Sequence, residues 1–157
     1  MPALHHGGMH TPHTTSLARV TALLALVFAL APAQAGDTTA ASQMQRWSDA
    51  SGKPVSAERG RVFFTSRHGG EWSCASCHGN PPTTSTRHAS TGKTITALAP
   101  AFNPERFTET AKVDKWFRRN CNDVLSRECT AVEKADVLAW LLQFDAKNPP
   151  QAPKEKP

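Results

Sequence analysis

Two cysteines three positions apart, followed at once by a histidine, carry most of the chemical information in this chain. Cys74, Cys77 and His78 stand at the C-x-x-C-H spacing at which c-type haem is attached. Each thiol adds across one haem vinyl group, and the histidine is then presented as the proximal ligand of the iron. The motif therefore predicts one covalent c-type haem held by these three residues.

The ligand on the other side of that iron is not the usual one. Small electron-carrying cytochromes supply a methionine sulfur from the C-terminal half. The three methionines of this chain are Met1, Met9 and Met44, and all of them precede the motif. The remaining candidates for that position are His68, His88, Lys93, Asn120 and no residue at all.

Asn120 is a candidate because of its place on a predicted helix. At 100° per residue, the helix predicted from about Ala111 to Asn122 collects its apolar side chains on one arc, with Asn120 in the middle. An amide buried on an apolar face costs several kcal/mol if it has no partner, and iron would be such a partner. The ordinary alternative is an asparagine that bonds a backbone group near a helix end. The apolar members of the arc are Val113, Trp116 and Phe117.

The N-terminus has the features of an export signal. An apolar run, Val20–Ala31, follows Arg19 and precedes Ala33-Gln34-Ala35, which is typical of a secretory signal peptide. The run is too short for a membrane helix, which needs about 20 apolar residues. We predict cleavage after residue 35, a periplasmic haem domain over residues 36–144 that is not membrane-embedded, and a disordered tail over 145–157.

Export also decides how the other two cysteines are interpreted. If Cys74 and Cys77 were half of a zinc site, Cys121 and Cys129 would have to be the second close-spaced pair, and their separation by seven residues fits that role poorly. If Cys74 and Cys77 were a redox C-x-x-C motif, they would follow a strand in an alternating β/α pattern, and no such pattern is visible. Disulfides persist outside the cytoplasm, so Cys121 and Cys129 are predicted to be bridged.

The remaining sequence predicts helices joined by long turns. One helix is predicted near Ala40–Ala50 and a second after the N-cap Ser56. A short third helix is predicted to begin at Asn103-Pro104 and to end near Phe107. The polar stretch from Asn80 to Thr94 is predicted to be loop.

The last predicted helix has the clearest signature. Thr130 to Glu133 match a capping box, in which each end residue bonds the other's backbone N–H. An apolar stripe at helical spacing follows and predicts a core face. We expect this face to pack on the helix that carries Gly60, where the missing side chain permits close approach. The stripe consists of Val137, Leu138, Trp140, Leu141 and Phe144.

From Asp37 to Leu142 the chain resembles the sphaeroides haem protein family, which are oxygen-binding cytochromes of the class I cytochrome c fold. That resemblance implies an all-α domain of four to five short helices around one covalently attached haem. One departure is Ser126, where the family pattern leads us to expect glycine. The matching segments are Ala57–Phe64, Cys74–Gly79, Thr91–Pro100, Pro104–Glu109, Arg119–Asn122 and Cys129–Leu141.

The resemblance also implies a function. In that family the asparagine before the first cysteine is the distal haem ligand, which falls on Asn120, and the cysteines matching Cys121 and Cys129 are bridged. An amide is a poor match for ferrous haem, so reduction should loosen it and open a position for O₂ or NO. Family members receive electrons from a dihaem cytochrome c.

Two other functions remain open at this point. One is a plain electron carrier in which His78 is paired permanently with His68 or His88. The other is an enzyme that reduces O₂, NO or a related small molecule at an openable site.

Charge bears on the class of partner. The formal net charge is +5 and falls to +4 once Arg19 is removed, which is too small for a nucleic-acid protein without a basic stripe. Three cations of the Asn120 helix form a basic edge suited to an acidic partner. A plain solvated helix face would look the same. These cations are Lys112, Lys115 and Arg119.

Overall fold

Residues 36–150 are described by the computed structural model of the chain. Within that range the chain forms five helices and one two-stranded antiparallel sheet. In chain order the elements are α1 (Ala40–Ser51), α2 (Ala57–Thr65), α3 (Cys74–His78), β1 (Thr86–Arg87), β2 (Thr94–Ile95), α4 (Thr110–Leu125) and α5 (Ala131–Leu141).

Two segments predicted from the sequence fall at the edges of this range. The predicted signal peptide, residues 1–35, and residues 151–157 of the predicted tail lie outside the described residues. The tail residues that are described, 145–150, include a turn in which the Asp145 carboxylate accepts a hydrogen bond from the Lys147 N–H at 2.9 Å. None of the helices formed by residues 36–150 is long and apolar enough to cross a membrane.

Side-chain caps begin the helices where the sequence predicted them. Ser56 Oγ accepts a hydrogen bond from the Arg59 N–H at 3.3 Å and begins α2. Thr130 and Glu133 form both bonds of the predicted capping box at the start of α5. The structure confirms all four predicted helices that correspond to α1, α2, α4 and α5, and α4 extends from Thr110 to Leu125.

The predicted short helix from Asn103 to Phe107 is wrong. These residues form turns, because their side chains bond the preceding segment. Asn103 Nδ2 and Arg106 Nε both donate to the carbonyl oxygen of Ala97, at 3.3 and 3.0 Å. Phe107 then adopts a φ of 63°, in the left-handed region, which prevents helical continuation.

The stretch predicted as loop from Asn80 to Thr94 contains a hairpin. Strands β1 and β2 pair through Thr86 with Ile95 and Arg87 with Thr94. The turn between them is closed by a hydrogen bond from the His88 N–H to the Lys93 carbonyl oxygen at 2.8 Å. Strands of two residues are too short to show the alternating pattern from which a strand is predicted.

The crossing of α2 and α5 is the closest helix contact in the core. A Cβ built on Gly60 would lie 1.9 Å from the carbonyl oxygen of Asp136, so no larger residue fits there without backbone movement. The rings of Phe64 and Trp140 pack beside the crossing, with centroids 5.0 Å apart. The predicted packing of the apolar stripe on the Gly60 helix is confirmed.

A buried carboxylate ties the same crossing together. Asp136 is only 4% exposed, yet it is fully bonded. It accepts hydrogen bonds from Arg59 Nε at 2.7 Å and from the Ser56 N–H at 2.6 Å. A buried carboxylate needs such partners, so this pair fixes both the register of α2 on α5 and the start of α2.

The α4 helix packs against α1. The ring of Phe117 meets Trp47 edge-on, with centroids 4.8 Å apart. Arg46 and Asp114 form an ion pair across the same contact. The α1 contact therefore holds one side of α4 and leaves its remaining faces for the cavity and solvent.

The α2–α5 crossing yields a test of the fold. Gly60→Ala should lower the free energy of unfolding by about 2 kcal/mol, because the added methyl group must displace backbone. By helix propensity alone, alanine would stabilise the helix by about 1 kcal/mol relative to glycine. The expected decrease in the free energy of unfolding is therefore opposite to what propensity predicts. Urea unfolding of the haem-loaded protein measures the change.

The matched control for this substitution is Gly70→Ala. A Cβ at Gly70 meets its nearest atoms at 3.5 Å, an ordinary contact. This variant should shift the free energy of unfolding by less than about 1 kcal/mol. Equal stability of the Gly60→Ala variant and the parent would show that α2 and α5 do not cross at this residue.

Candidate haem site

A cavity of about 1570 Å³ brings the two sequence-predicted parts of the site together. Its walls include Cys74, Cys77 and His78 of α3 and Asn120 of α4. These parts are more than 40 residues apart in the sequence. Apolar side chains supply much of the remaining wall, among them Phe63, Phe64, Leu98, Phe107, Val113, Val137 and Leu141.

The C-x-x-C-H motif forms a single helical turn because serines cap it. The Ser76 N–H donates to Ser73 Oγ at 3.2 Å, and the Ser73 N–H donates to Ser76 Oγ at 3.0 Å. This reciprocal pair satisfies two backbone donors that a short helix leaves unpaired. Both motif thiols are unbridged and half-buried on the cavity wall.

His78 has the chemical state expected of an iron ligand. Its Nδ1 atom is buried without a hydrogen-bond partner. Burial, followed by the charges of Arg106 and His88, lowers the pKa of His78 to about 4. The imidazole is therefore neutral at pH 7, and a neutral ring nitrogen has the lone pair that a metal needs.

These observations fit a covalently attached haem. Burial raises the pKa of the Cys74 thiol to about 11, as expected for a side chain that lies in the apolar part of the wall. The cavity exceeds the roughly 300–1,000 Å³ of ordinary small-molecule sites. Among residues 36–150, no three His, Cys, Asp or Glu side chains are grouped to hold a bare metal ion. The two thiols and His78 are the residues that would hold the haem.

Asn120 lies on the cavity side of α4. It is half-buried and lines the cavity, and its amide forms no hydrogen bond within residues 36–150. All three members of the predicted apolar arc around it line the cavity. Val113 and Phe117 also pack in the core, whereas Trp116 is 46% exposed.

A disulfide follows Asn120 directly. Cys121 and Cys129 are bonded, with their Cα atoms 5.5 Å apart, and both are buried. The bond joins the end of α4 to the residue before the cap of α5. Between them, Ser126 ends α4 with a φ of 55°, in the left-handed region that glycine tolerates best. Asn120 is thus held on a helix end that cannot move freely from α5.

The other candidate iron ligands lie in less suitable positions than Asn120. His68 does not line the cavity; its Nε2 atom lies 2.8 Å from the Phe63 carbonyl oxygen. His88 does line the cavity, but its Nδ1 accepts weak hydrogen bonds from the Ser90 and Thr91 N–H groups and so stabilises the hairpin turn. Lys93 also lines the cavity and is exposed.

One cation of the site was missed by the sequence reasoning. Arg106 lines the cavity and donates to the carbonyl oxygens of Thr96 and Ala97 at 2.9 and 3.0 Å. Burial lowers the pKa of its guanidinium. An arginine in an irregular turn gives no periodic signal, and its partners lie nine and ten residues earlier in the chain.

The predicted basic edge of α4 is exposed. Lys112, Lys115 and Arg119 all face solvent. Lys112 is paired with Glu109 one turn earlier. Lys115 Nζ and Arg119 Cζ instead each lie 5.6 Å from the ring centroid of Trp116. The edge therefore combines two cations with a half-exposed aromatic ring.

Known proteins similar to this chain include c-type cytochromes. Residues 50–141 match the family model described as "Domain of unknown function (DUF1924)". Over 114 residues the chain is 48% identical to the cytochrome c-type protein SHP of Cereibacter sphaeroides, covering 70% of this chain and 88% of that protein.

Two solved structures are also similar. Oxidised SHP, described as an oxygen-binding cytochrome c, has a TM-score of 0.64 and 47% identity, covering 68% of this chain and 97% of that one. The solution structure of cytochrome c'' from Methylophilus methylotrophus, described in connection with haem-ligand detachment, has a TM-score of 0.61 and 33% identity, covering 71% and 97%. These likenesses confirm the predicted fold, a mostly helical class I cytochrome c fold.

Proposed function

This chain belongs to the sphaeroides haem protein family of c-type cytochromes, and from that premise we propose that it accepts electrons and binds a small diatomic molecule such as O₂ or NO. Cys74 and Cys77 would hold one covalent haem, and His78 and Asn120 would bind its iron. When bound, the haem would supply a one-electron redox couple and an iron able to take a small ligand. The residues of the chain would decide whether a position for that ligand opens.

The observation that carries this proposal is the unpartnered amide of Asn120 on the cavity wall. Asn120 is half-buried, and a bound haem would cover its amide further, where an amide without a partner is costly. A neutral amide oxygen suits hard cations, whereas softer metal states prefer nitrogen or sulfur ligands. The amide would therefore bind ferric iron better than ferrous iron and would leave it on reduction.

The detached side chain has a second role. Its amide keeps two N–H donors beside the opened position, where they hydrogen-bond to a small ligand. The α4 helix itself does not need to move, because the Cys121–Cys129 bond restrains its end. Rotation of one side chain is then sufficient to open the site.

The relatives support both parts of this account. SHP is described as an oxygen-binding cytochrome c, and the M. methylotrophus structure is described in terms of haem-ligand detachment. A second candidate function, an electron carrier with permanent His78 and His88 ligands, is favoured only by the position of His88 on the cavity wall. That carrier would stay low-spin in both oxidation states.

The cellular setting is part of the proposal. Residues 1–35 direct export to the periplasm, and residues 36–144 form the working domain. The buried bond between Cys121 and Cys129 supports this placement, because disulfides persist outside the reducing cytoplasm. Attachment of haem to Cys74 and Cys77 fits the same compartment.

We propose the basic edge of α4 as the docking surface for an acidic electron donor, and from the family resemblance we propose a dihaem cytochrome c as that donor. Within residues 36–150, neither Lys115 nor Arg119 forms an ion pair, so both charges are available to a partner. Opposite charges across such a contact mainly raise the rate of association. The edge adjoins Asn120, so a docked donor sits close to the haem cavity.

Asn120→Ala tests the ligand assignment. Without the amide, the ferric protein should change from a six-coordinate to an open, high-spin spectrum. Its apparent affinity for added azide should rise at least about tenfold, because no internal ligand competes. Optical titration of the ferric protein measures both effects.

The matched control is Asn122→Ala on the same helix. Asn122 is exposed and does not line the cavity, so the ferric spectrum should stay as in the parent. An unchanged ferric spectrum in the Asn120→Ala variant would show that Asn120 is not the ligand. His88→Ala would then be the next variant to examine.

Charge reversal tests the docking surface. The variant K115E/R119E should slow reduction by the dihaem donor about tenfold at low salt and should flatten the salt dependence of the rate. Stopped-flow reduction at several salt concentrations measures this. The variant K53E/K147E changes the net charge equally at residues outside α4 and should leave the rate nearly unchanged. If both variants behave alike, the basic edge is an ordinary solvated face.

A further inference from the structure

Trp116 has an exposure that the proposed function does not explain. It lies one helical turn before Asn120 on α4 and lines the same cavity, yet 46% of it is exposed. Every other tryptophan among residues 36–150 is better covered. This large aromatic ring therefore contacts both the cavity and solvent.

The order of side chains around α4 places this ring on the outer side of Asn120. At 100° per residue, Asn120 is about 40° from Trp116 in the direction of the core, which is marked by buried Val113. Lys112 is about 40° from Trp116 in the other direction and is exposed. The order around the helix, from the core to solvent, is therefore Val113, Asn120, Trp116 and Lys112.

Two cations hold the ring in this position without burying it. Lys115 Nζ and Arg119 Cζ each lie 5.6 Å from the indole centroid. Cation–π contacts at exposed sites contribute about 0.5–1 kcal/mol each. That is enough to favour one rotamer, but small enough for an exposed side chain to swing within nanoseconds.

We propose that the Trp116 indole is the outer wall of the distal ligand site and admits small molecules according to their size. The inference rests on the proposed function, since it assumes a site that opens beside Asn120. Diatomic molecules pass the ring in its resting position. Larger ligands pass only when the ring leaves its two cations, so they bind more slowly.

The test compares two ligands of different size on the ferrous, haem-loaded protein. Carbon monoxide and tert-butyl isocyanide are mixed with the parent and with Trp116→Ala, and both association rates are measured by stopped flow. The isocyanide rate should rise about tenfold more than the CO rate in the variant. Trp116→Phe keeps a ring and should stay closer to the parent.

A matched control is Val62→Ala. Val62 is 47% exposed, much like Trp116, but it does not line the cavity. This variant should change neither rate. The ferric spectrum of each variant shows whether Asn120 still binds, which separates an effect on access from an effect on the ligand.

The possible results distinguish the proposed role of Trp116 from its alternatives. A parent-like ratio of the two rates in Trp116→Ala overturns the proposal, and a slowed reduction by the donor in that case assigns the ring to the docking surface. A ferric spectrum altered as in Asn120→Ala, with both rates raised equally, also overturns it. If the ferrous parent binds neither ligand, the proposed function fails and this inference fails with it.

Discussion

The crossing of α2 and α5 at Gly60 sets the distance between the two halves of the site. The C-x-x-C-H turn follows α2 in the chain, and α4 is joined to the start of α5 by the Cys121–Cys129 bond. Because Gly60 rests directly on the Asp136 carbonyl, neither helix can shift without breaking the buried Asp136 bonds to Arg59 and to the start of α2. The position of Asn120 relative to His78 depends on this contact together with the packing of α4 on α1.

A rigid frame of this kind suits a weak ligand. If α4 were free to move, the proposed loss of the Asn120 ligand would also disorder the helix that carries it. Here Phe117 packs on Trp47 and the disulfide restrains the helix end, so the proposed change can stay within one side chain. The cavity can then keep its shape when the site opens as proposed.

Sequence reasoning located the features that depend on local rules. Caps at Ser56 and Thr130, the C-x-x-C-H motif and the need for a small residue at Gly60 are all visible in short segments.

The turn at Asn103 was predicted wrongly because its side chains bond Thr96 and Ala97, which no local pattern shows. Asp136 was not singled out, since a carboxylate inside an apolar stripe becomes reasonable only with Arg59, 77 residues away. For α4 the helical arc was found, but how deeply each of its side chains is buried depends on which neighbours cover it. Ser126 is a milder case, because serine accepts there a backbone conformation that glycine would adopt more easily.

The central claim is that reduction removes the amide of Asn120 from the iron. The most direct measurement is the optical spectrum of the purified protein, oxidised and then reduced without oxygen, before and after CO is added. We expect a high-spin, five-coordinate ferrous form that takes up CO at once. Sharp low-spin ferrous bands that do not respond to CO would contradict the account and would indicate a strong, permanent sixth ligand.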